Sequence, residues 1–321
     1  MTFNCMKRWA ACALLAWLSL GSAAWAQTKV TRLLVAFPPG GPVDFIARTI
    51  SEQLGKELGQ SVVVENRAGA NGAIAAEALL KAPADGQTLW LSSVGAISIN
   101  PGLYPNLPYD PLRDLAPVSL VVNNVEMLVV HPNYPANNPQ EFIGVAKQKR
   151  VTMASSGTGS VPHLAMELLA DATKTDLVHV PYKGAAPAIT DVMAGHVDGF
   201  FGDIPGLIGH IKSGKLKPVA LASTRRHPLF PDVKTFQEMG VPGVDSDNWY
   251  ALFAHKGTPS AEIERINQAL RRTLANEAVR AKIVASGAEP AGNSPLELSN
   301  LVKADLTKWS RVIRDKKIKA D

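Results

Sequence analysis

Leu33-Leu-Val-Ala-Phe-Pro-Pro-Gly-Gly-Pro-Val-Asp-Phe-Ile-Ala-Arg48 is the stretch from which the rest of the chain is read. Residues 33–37 form a short apolar run, the pattern of a strand buried in a parallel sheet. Pro38 and Pro39 end it, because proline brings no N–H to the ladder. Gly40 and Gly41 permit unusual backbone angles and a close approach by a partner. Pro42 suits the first position of a helix, and Asp44 its first turn, where the helix dipole favours an acid. Ile46, Ile50, Leu54 and Leu58 then recur every four residues and make one apolar face. Alone, the unit is compatible with a plain βα turn, since it contains no G-x-G-x-x-G. It also offers the free N–H groups of a helix N-terminus to an anion.

A second stretch, Val151-Thr-Met-Ala-Ser-Ser-Gly-Thr-Gly-Ser-Val-Pro-His163, repeats the pattern of strand, small polar loop and helix. Two such loops are able to face each other across a cleft. The chain has 321 residues, too many for one ordinary core and suited to two α/β lobes. A hydrophobic content of 46% and a charged content of 19% describe a globular protein, not a disordered one.

Residues 1–26 have the layout of a signal peptide. Lys7-Arg8 is a positive start, residues 9–20 are apolar, and Ala24-Trp25-Ala26 has the small-x-small form of a cleavage site. The expected mature chain begins at Gln27 and lies in the periplasm; a retained N-terminal anchor is the alternative. Cys5 and Cys12 both fall in the leader, so the mature chain would have no disulfide and no thiol chemistry. Without Lys7 and Arg8, 31 basic residues face 28 acidic ones, a net charge of +3. That is too small to argue for nucleic acid, and it is compatible with an anionic small ligand.

Further along, 61–65 reads as a second strand, 66–72 as a glycine-rich loop, 73–81 as a helix and 88–92 as a third strand. Such alternation implies a parallel sheet with right-handed crossovers, and ligands sit beyond the carboxyl ends of its strands. Three loops gather there, at 37–44, 67–72 and 92–95. Residues 100–115 read as irregular covering. Apolar runs at 117–122 and 127–130 bring the chain to a second lobe, and 249–254 brings it back. The expected division is lobe 1 at 27–123 plus 252–321 and lobe 2 at 124–251, each a mainly parallel sheet flanked by helices and joined by crossing strands. Thr258 reads as a helix N-cap before Pro259, and the basic 316–319 tail as solvated.

Catalytic signatures are missing. No G-x-S-x-G, H-E-x-x-H or Walker loop occurs, and the seven histidines contain no His-x₃-His pair. No catalytic residue, cofactor or metal is therefore assigned. His163 opens a helix beside the 155–160 loop, where it either orients that loop, contacts an anion, or serves in capping and packing.

The motifs resemble the Bug/TctC-type periplasmic solute-binding proteins, the receptors of tripartite tricarboxylate transporters. The resemblance rests on Phe-Pro-Pro-Gly-Gly-x-x-Asp-x-x-Ala-Arg at 37–48, Val64-Glu-Asn-Arg-Ala-Gly-Ala-Asn-Gly72 and Ala84-Asp-Gly-Gln-Thr-Leu89. It continues through Asn100-Pro-Gly-Leu-Tyr104, Leu107-Pro-Tyr-Asp110, Ala154-Ser-Ser-Gly-Thr-Gly-Ser160 with His163, and Val178-His-Val-Pro-Tyr-Lys-Gly184. Gly257-Thr-Pro259 and Gly287-Ala-Glu-Pro290 complete it over essentially the whole mature chain. The resemblance implies two α/β lobes closing on a small carboxylated solute, held largely by backbone groups and bridging waters. The gripping loops would supply Phe37, Gly40, Gly41 and Asp44 from one lobe. Ser155, Gly157, Thr158, Gly159, Ser160 and His163 would come from the other, with Ala70, Asn71, Ser93, Tyr182 and Asp203 around them. Phe37 is either an apolar wall for the solute or a core residue. Two departures stand out: Ser160 replaces the usual threonine, and Gly202-Asp203 replaces an acid followed by a small polar residue, as if the acid had moved one position. The implied protein is a monomeric receptor with a membrane transporter or sensor as partner. An extracytoplasmic hydrolase or lyase acting on a carboxylated molecule is the competing reading.

Overall fold

A computed structural model describes residues 29–319; the leader at 1–26 lies outside the described residues. In chain order the first lobe opens with β1 (Val30–Val35), α1 (Pro42–Leu58), β2 (Ser61–Asn66), α2 (Ala73–Leu80), β3 (Thr88–Ser93) and β4 (Leu115–Asn124). The second lobe holds β5 (Glu126–Val130), α3 (Pro139–Gln148), β6 (Val151–Ser155), α4 (Val161–Thr173), β7 (Leu177–Pro181), α5 (Ala185–Ala194), β8 (Gly199–Asp203), α6 (Ile204–Lys212) and β9 (Lys217–Leu221). The chain then returns through β10 (Asn248–His255), α7 (Ser260–Ala275), α8 (Glu277–Ser286), β11 (Glu289–Pro290) and α9 (Pro295–Lys316).

Two sheets result, of six strands in the order β11-β4-β10-β3-β1-β2 and of five in the order β7-β6-β8-β5-β9. The βαβ units β1-α1-β2 and β6-α4-β7 give parallel pairs, as the alternating pattern requires. The crossing strands run the other way: β10 is antiparallel to β3 and β4, and β5 to β8 and β9. Each sheet is thus parallel at one side and antiparallel where the chain passes between lobes.

Both sheets are covered on both faces. Side chains alternate across a strand, so Leu33 and Val35 join one core with Ile46, Ile50 and Leu54, while Leu34 and Ala36 join another with Trp90, Phe253 and Trp309. In the second lobe Leu128, Met153 and Phe201 face α3 and α4, and Met127, Val129 and Phe200 face α5 and α6.

Several sequence expectations change. β10 pairs in the first sheet from Asn248, so 248–251 are strand of that sheet rather than part of lobe 2; the apolar run alone does not show at which of its residues the pairing begins. Within the expected irregular covering, 100–103 and 111–114 are helical, and Asn100 is fully buried. Thr258 is not the cap of α7; that position is Pro259. The tail is not simply solvated: Ile318 is buried, and Lys316 pairs with Asp171 of the other lobe.

The lobes are in direct contact. Val161, Leu164 and Leu168 of α4 join the first lobe's core beside Leu103. Tyr104 hydroxyl donates to Thr158 O at 3.3 Å. A Cβ added at Gly184 would lie 2.6 Å from Pro38 Cδ, and one at Gly206 would lie 3.2 Å from Pro42 Cδ. Gly206 sits in α6 with ordinary helical backbone, so a larger residue there disturbs the contact between lobes more than the helix. Gly206→Leu is expected to fold with unchanged circular dichroism yet to remain less compact than the parent in small-angle scattering with solute present; equal radii would show that this contact is dispensable.

Candidate functional site

The first loop is built by one acid. Asp44, at the start of α1, accepts from Gly40 N–H at 3.0 Å, from Asn66 Nδ2 at 2.9 Å and from Arg48 Nε at 2.9 Å. Asn66 Nδ2 also donates to Phe37 O at 3.0 Å, tying both ends of the loop to β2. Burial pushes the Asp44 carboxyl up, but the hydrogen bonds from Arg48, Gly40 and Asn66 outweigh it, and the net pKa is below the usual value. Gly40 has φ +83, a conformation that favours glycine. Gly41, at φ −81 and ψ 170, is the N-cap of α1. The loop therefore turns the first N–H groups of α1, which lack intrahelical partners, toward the cleft.

The second loop has a different support. Ser155 Oγ lies 2.6 Å from His179 Nε2 and accepts from Gly157 N–H at 3.1 Å. His163 Nδ1 accepts from Gly159 N–H at 3.2 Å, and the two imidazoles stack at 3.9 Å. Ser160 is the N-cap of α4: its Oγ accepts from His163 N–H at 3.4 Å, which leaves the hydroxyl hydrogen for another acceptor. Of the three roles open to His163, the geometry shows loop orientation and packing.

Between these loops lie two chambers. The hinge-side chamber, about 30 Å³, is lined by Phe37, Gly41, Pro42, Val43 and Ser93 from the first lobe and by Ser156, Ser160, Val161 and Asp203 from the second. Phe200, Asn248 and Tyr250 also line it. The other chamber, about 270 Å³, is lined by Phe37, Ala70, Asn71, Tyr104, Ser156, Gly157, Thr158, Tyr182 and Lys183. Phe37 and Ser156 line both. Gly40, Asp44, Ser155, Gly159 and His163 line neither; they shape the loops from behind. Ala70 and Asn71 carry left-handed backbone, with φ 46 and 43, and Asn71 Nδ2 donates to Asn100 Oδ1 at 2.8 Å.

Asp203 is buried rather than solvated. Its two carboxylate oxygens accept from Asn248 Nδ2 at 3.1 Å, and the Tyr250 hydroxyl donates to it as well. Glu126 pairs with it across β5 and β8 and is fully buried. Burial raises both acids, Asp203 to about 6, and each sits beside the other.

Sequence reading did not single out Asn66, Asn100, Glu126, Asn248 or Tyr250. Polar residues at the ends of apolar strands, as Glu126 before 127–130 and Asn248 before 249–254, were the available signal.

Residues 46–318 match the model of the tripartite tricarboxylate transporter family receptors. Among solved structures the chain is similar to the periplasmic binding protein BugD, at 31% identity and TM-score 0.87 over 91% of this chain and 99% of that one. It is also similar to MatC from Rhodopseudomonas palustris with bound malate, at 31% identity and TM-score 0.85, covering 89% and 99% of the two chains. A further R. palustris protein, with adipate, matches at 31% identity and TM-score 0.88, covering 92% of this chain and all of that one.

Removing the acid that holds the first loop takes away three charge-assisted hydrogen bonds, from Gly40, Arg48 and Asn66. Asp44→Ala is expected to cost about 1–3 kcal/mol of stability, read by denaturant unfolding. Because its folded pKa is depressed, this contribution is present at neutral pH and is lost only as pH falls below about 4. A variant of unchanged stability at pH 7 would remove Asp44 from this role.

Proposed function

The chain belongs to the tripartite tricarboxylate transporter receptor family, and from that membership we propose that it captures a small carboxylated solute, one carboxylate lying between the N-termini of α1 and α4. The carrying observation is that Gly41–Val43 and Ser160–Val161, the starts of two helices from opposite lobes, line the same small chamber. Helix N-termini bring N–H donors and positive dipole ends together there, which is what an anion needs. Phe37 supplies an apolar wall on the way to the larger chamber, where the rest of the solute would lie. Malate and adipate, held by two related proteins, are both small carboxylates and suit such a division.

As a receptor of this family the protein delivers its closed, liganded form to a membrane transporter; handing the same form to a membrane sensor would need no different site. We take it to be an exported monomer, cleaved near Ala26, that binds without turnover. Ser155, the serine nearest a histidine, is fully buried, and its Oγ is occupied by Gly157 N–H, so it is not presented to a substrate as a nucleophile. Turnover of esters or carboxylates by purified protein would favour a hydrolase or lyase instead.

Thermal-shift screening of mono-, di- and tricarboxylates is the first test, since a ligand at a hundredfold excess over Kd adds about 2.7 kcal/mol to native stability. Gly41→Val sharpens it. A Cβ at Gly41 would meet only Pro38 O at 3.6 Å, and φ is ordinary, so the variant should fold. Its branched side chain enters the chamber, and calorimetry should find binding abolished. Ser160→Ala should lose the cap, about 1 kcal/mol of stability, and weaken binding several-fold. A folded Gly41→Val protein that binds as tightly as the parent would place the solute elsewhere.

A further inference from the structure

Where the chain passes between lobes it carries a buried acid pair for which the receptor function alone gives no reason. β4 ends at Asn124, paired with Asn248 of β10, and β5 begins at Glu126, paired with Asp203 of β8. The last pairing of one sheet and the first of the other are therefore two residues apart, and the acid pair sits on that junction. Glu126 is 0% exposed and Asp203 7%. Donors to Asp203 come from the first lobe: Asn248 Nδ2 to both oxygens and the Tyr250 hydroxyl. Neither oxygen of Glu126 meets a donor with good hydrogen-bond geometry; the polar groups beside it are Asp203 itself and Asn248. Asp247, next to Asn248, adds a further acid that faces Glu126. Lys308 and Arg225 act on Asp247, and no described lysine, arginine or histidine faces the pair itself.

Two uncompensated carboxylates do not share a buried site, so the pair retains a proton. Asp203 and the starts of α1 and α4 line one chamber of about 30 Å³. An anion placed at those helix starts therefore stands beside Asp203. We propose that solute capture is proton-linked: the chamber takes up the solute carboxylate together with one proton, which Asp203 receives beside a Glu126 that is already protonated. This rests on the carboxylate reading of the site and adds a charge balance to it. Before binding, the pair carries one proton and one negative charge. On binding, Asp203 takes a second proton from solvent, and the incoming anion replaces the charge that is lost.

The direction follows from the environment. Burial raises both acids above their ordinary values, and the charge of Asp203 raises Glu126 further, so the doubly protonated form is favoured at low pH. A bound anion extends that form upward in pH. Affinity is then highest at mildly acidic pH and falls as pH rises through the pair's titration, by at most tenfold per unit for one proton.

Calorimetric titration of the exported protein with malate and with adipate, at pH 6.5 and 7.5 in two buffers of different ionisation heat, reads proton uptake directly. The expected result is uptake of a substantial fraction of one proton per acid bound, with weaker binding at the higher pH. Asp203→Asn removes the group that takes the proton, so uptake should vanish in that variant; Glu126→Gln, which stands in for the protonated glutamate, should keep it, and serves as the second variant if the first does not fold. Binding without proton uptake in the parent, full uptake in a folded Asp203→Asn protein, or none in a folded Glu126→Gln protein overturns the proposal and leaves the carboxylate reading intact. Failure to bind either acid, or any other carboxylate, overturns both.

Discussion

The structure depends on two lobes coming together with no Cβ between them. Gly159 of the second lobe lies where an added Cβ would be 2.9 Å from Asn100 Oδ1, and at Gly287 one would be 2.3 Å from Ile204 Cγ2. Real Cβ atoms do not approach so closely, so these positions, with Gly184 against Pro38, fix how far the cleft can shut. Closure brings the starts of α1 and α4 to one chamber. The paired helix-start donors argued for the site follow from that approach.

Within each lobe the gripping loop is held from behind rather than by its own sequence. Asp44, Asn66 and Arg48 form one brace, and Ser155, His179 and His163 the other. These side chains are spent on the loops, which leaves backbone N–H groups to face the cleft. On the proposed function, that arrangement would read a carboxylate generically and pass the choice of solute to the walls around Phe37, Asn71, Tyr182 and Asp203.

Much of this was legible in the chain. Proline after strand, paired glycines and an acid in the first helical turn marked the first loop, and a small polar glycine stretch between strand and helix marked the second, because each is a local requirement of backbone geometry. Asp203 was legible as a departure but not as a buried acid. Its partners Glu126, Asn248 and Tyr250 are 45 or more residues away in sequence or on another strand, and only sheet register brings them together. Asp44 was read as a dipole partner; that it also clamps Gly40 and Asn66 depends on how β2 lies beside β1. The return of β10 to the first sheet was visible as an apolar run, but the pairing of its polar first residue, Asn248, was not, since only sheet register shows that the strand begins there.

The central claim is that backbone N–H groups at two helix starts hold one carboxylate. Amide proton shifts of Val43 and Val161, followed by NMR as a carboxylated solute is added, test it most directly. Both amides should move downfield together at the same solute concentration, as N–H groups do on meeting a charged oxygen, while amides at the far ends of α1 and α4 stay in place. Saturable binding that leaves Val43 and Val161 unshifted would contradict it.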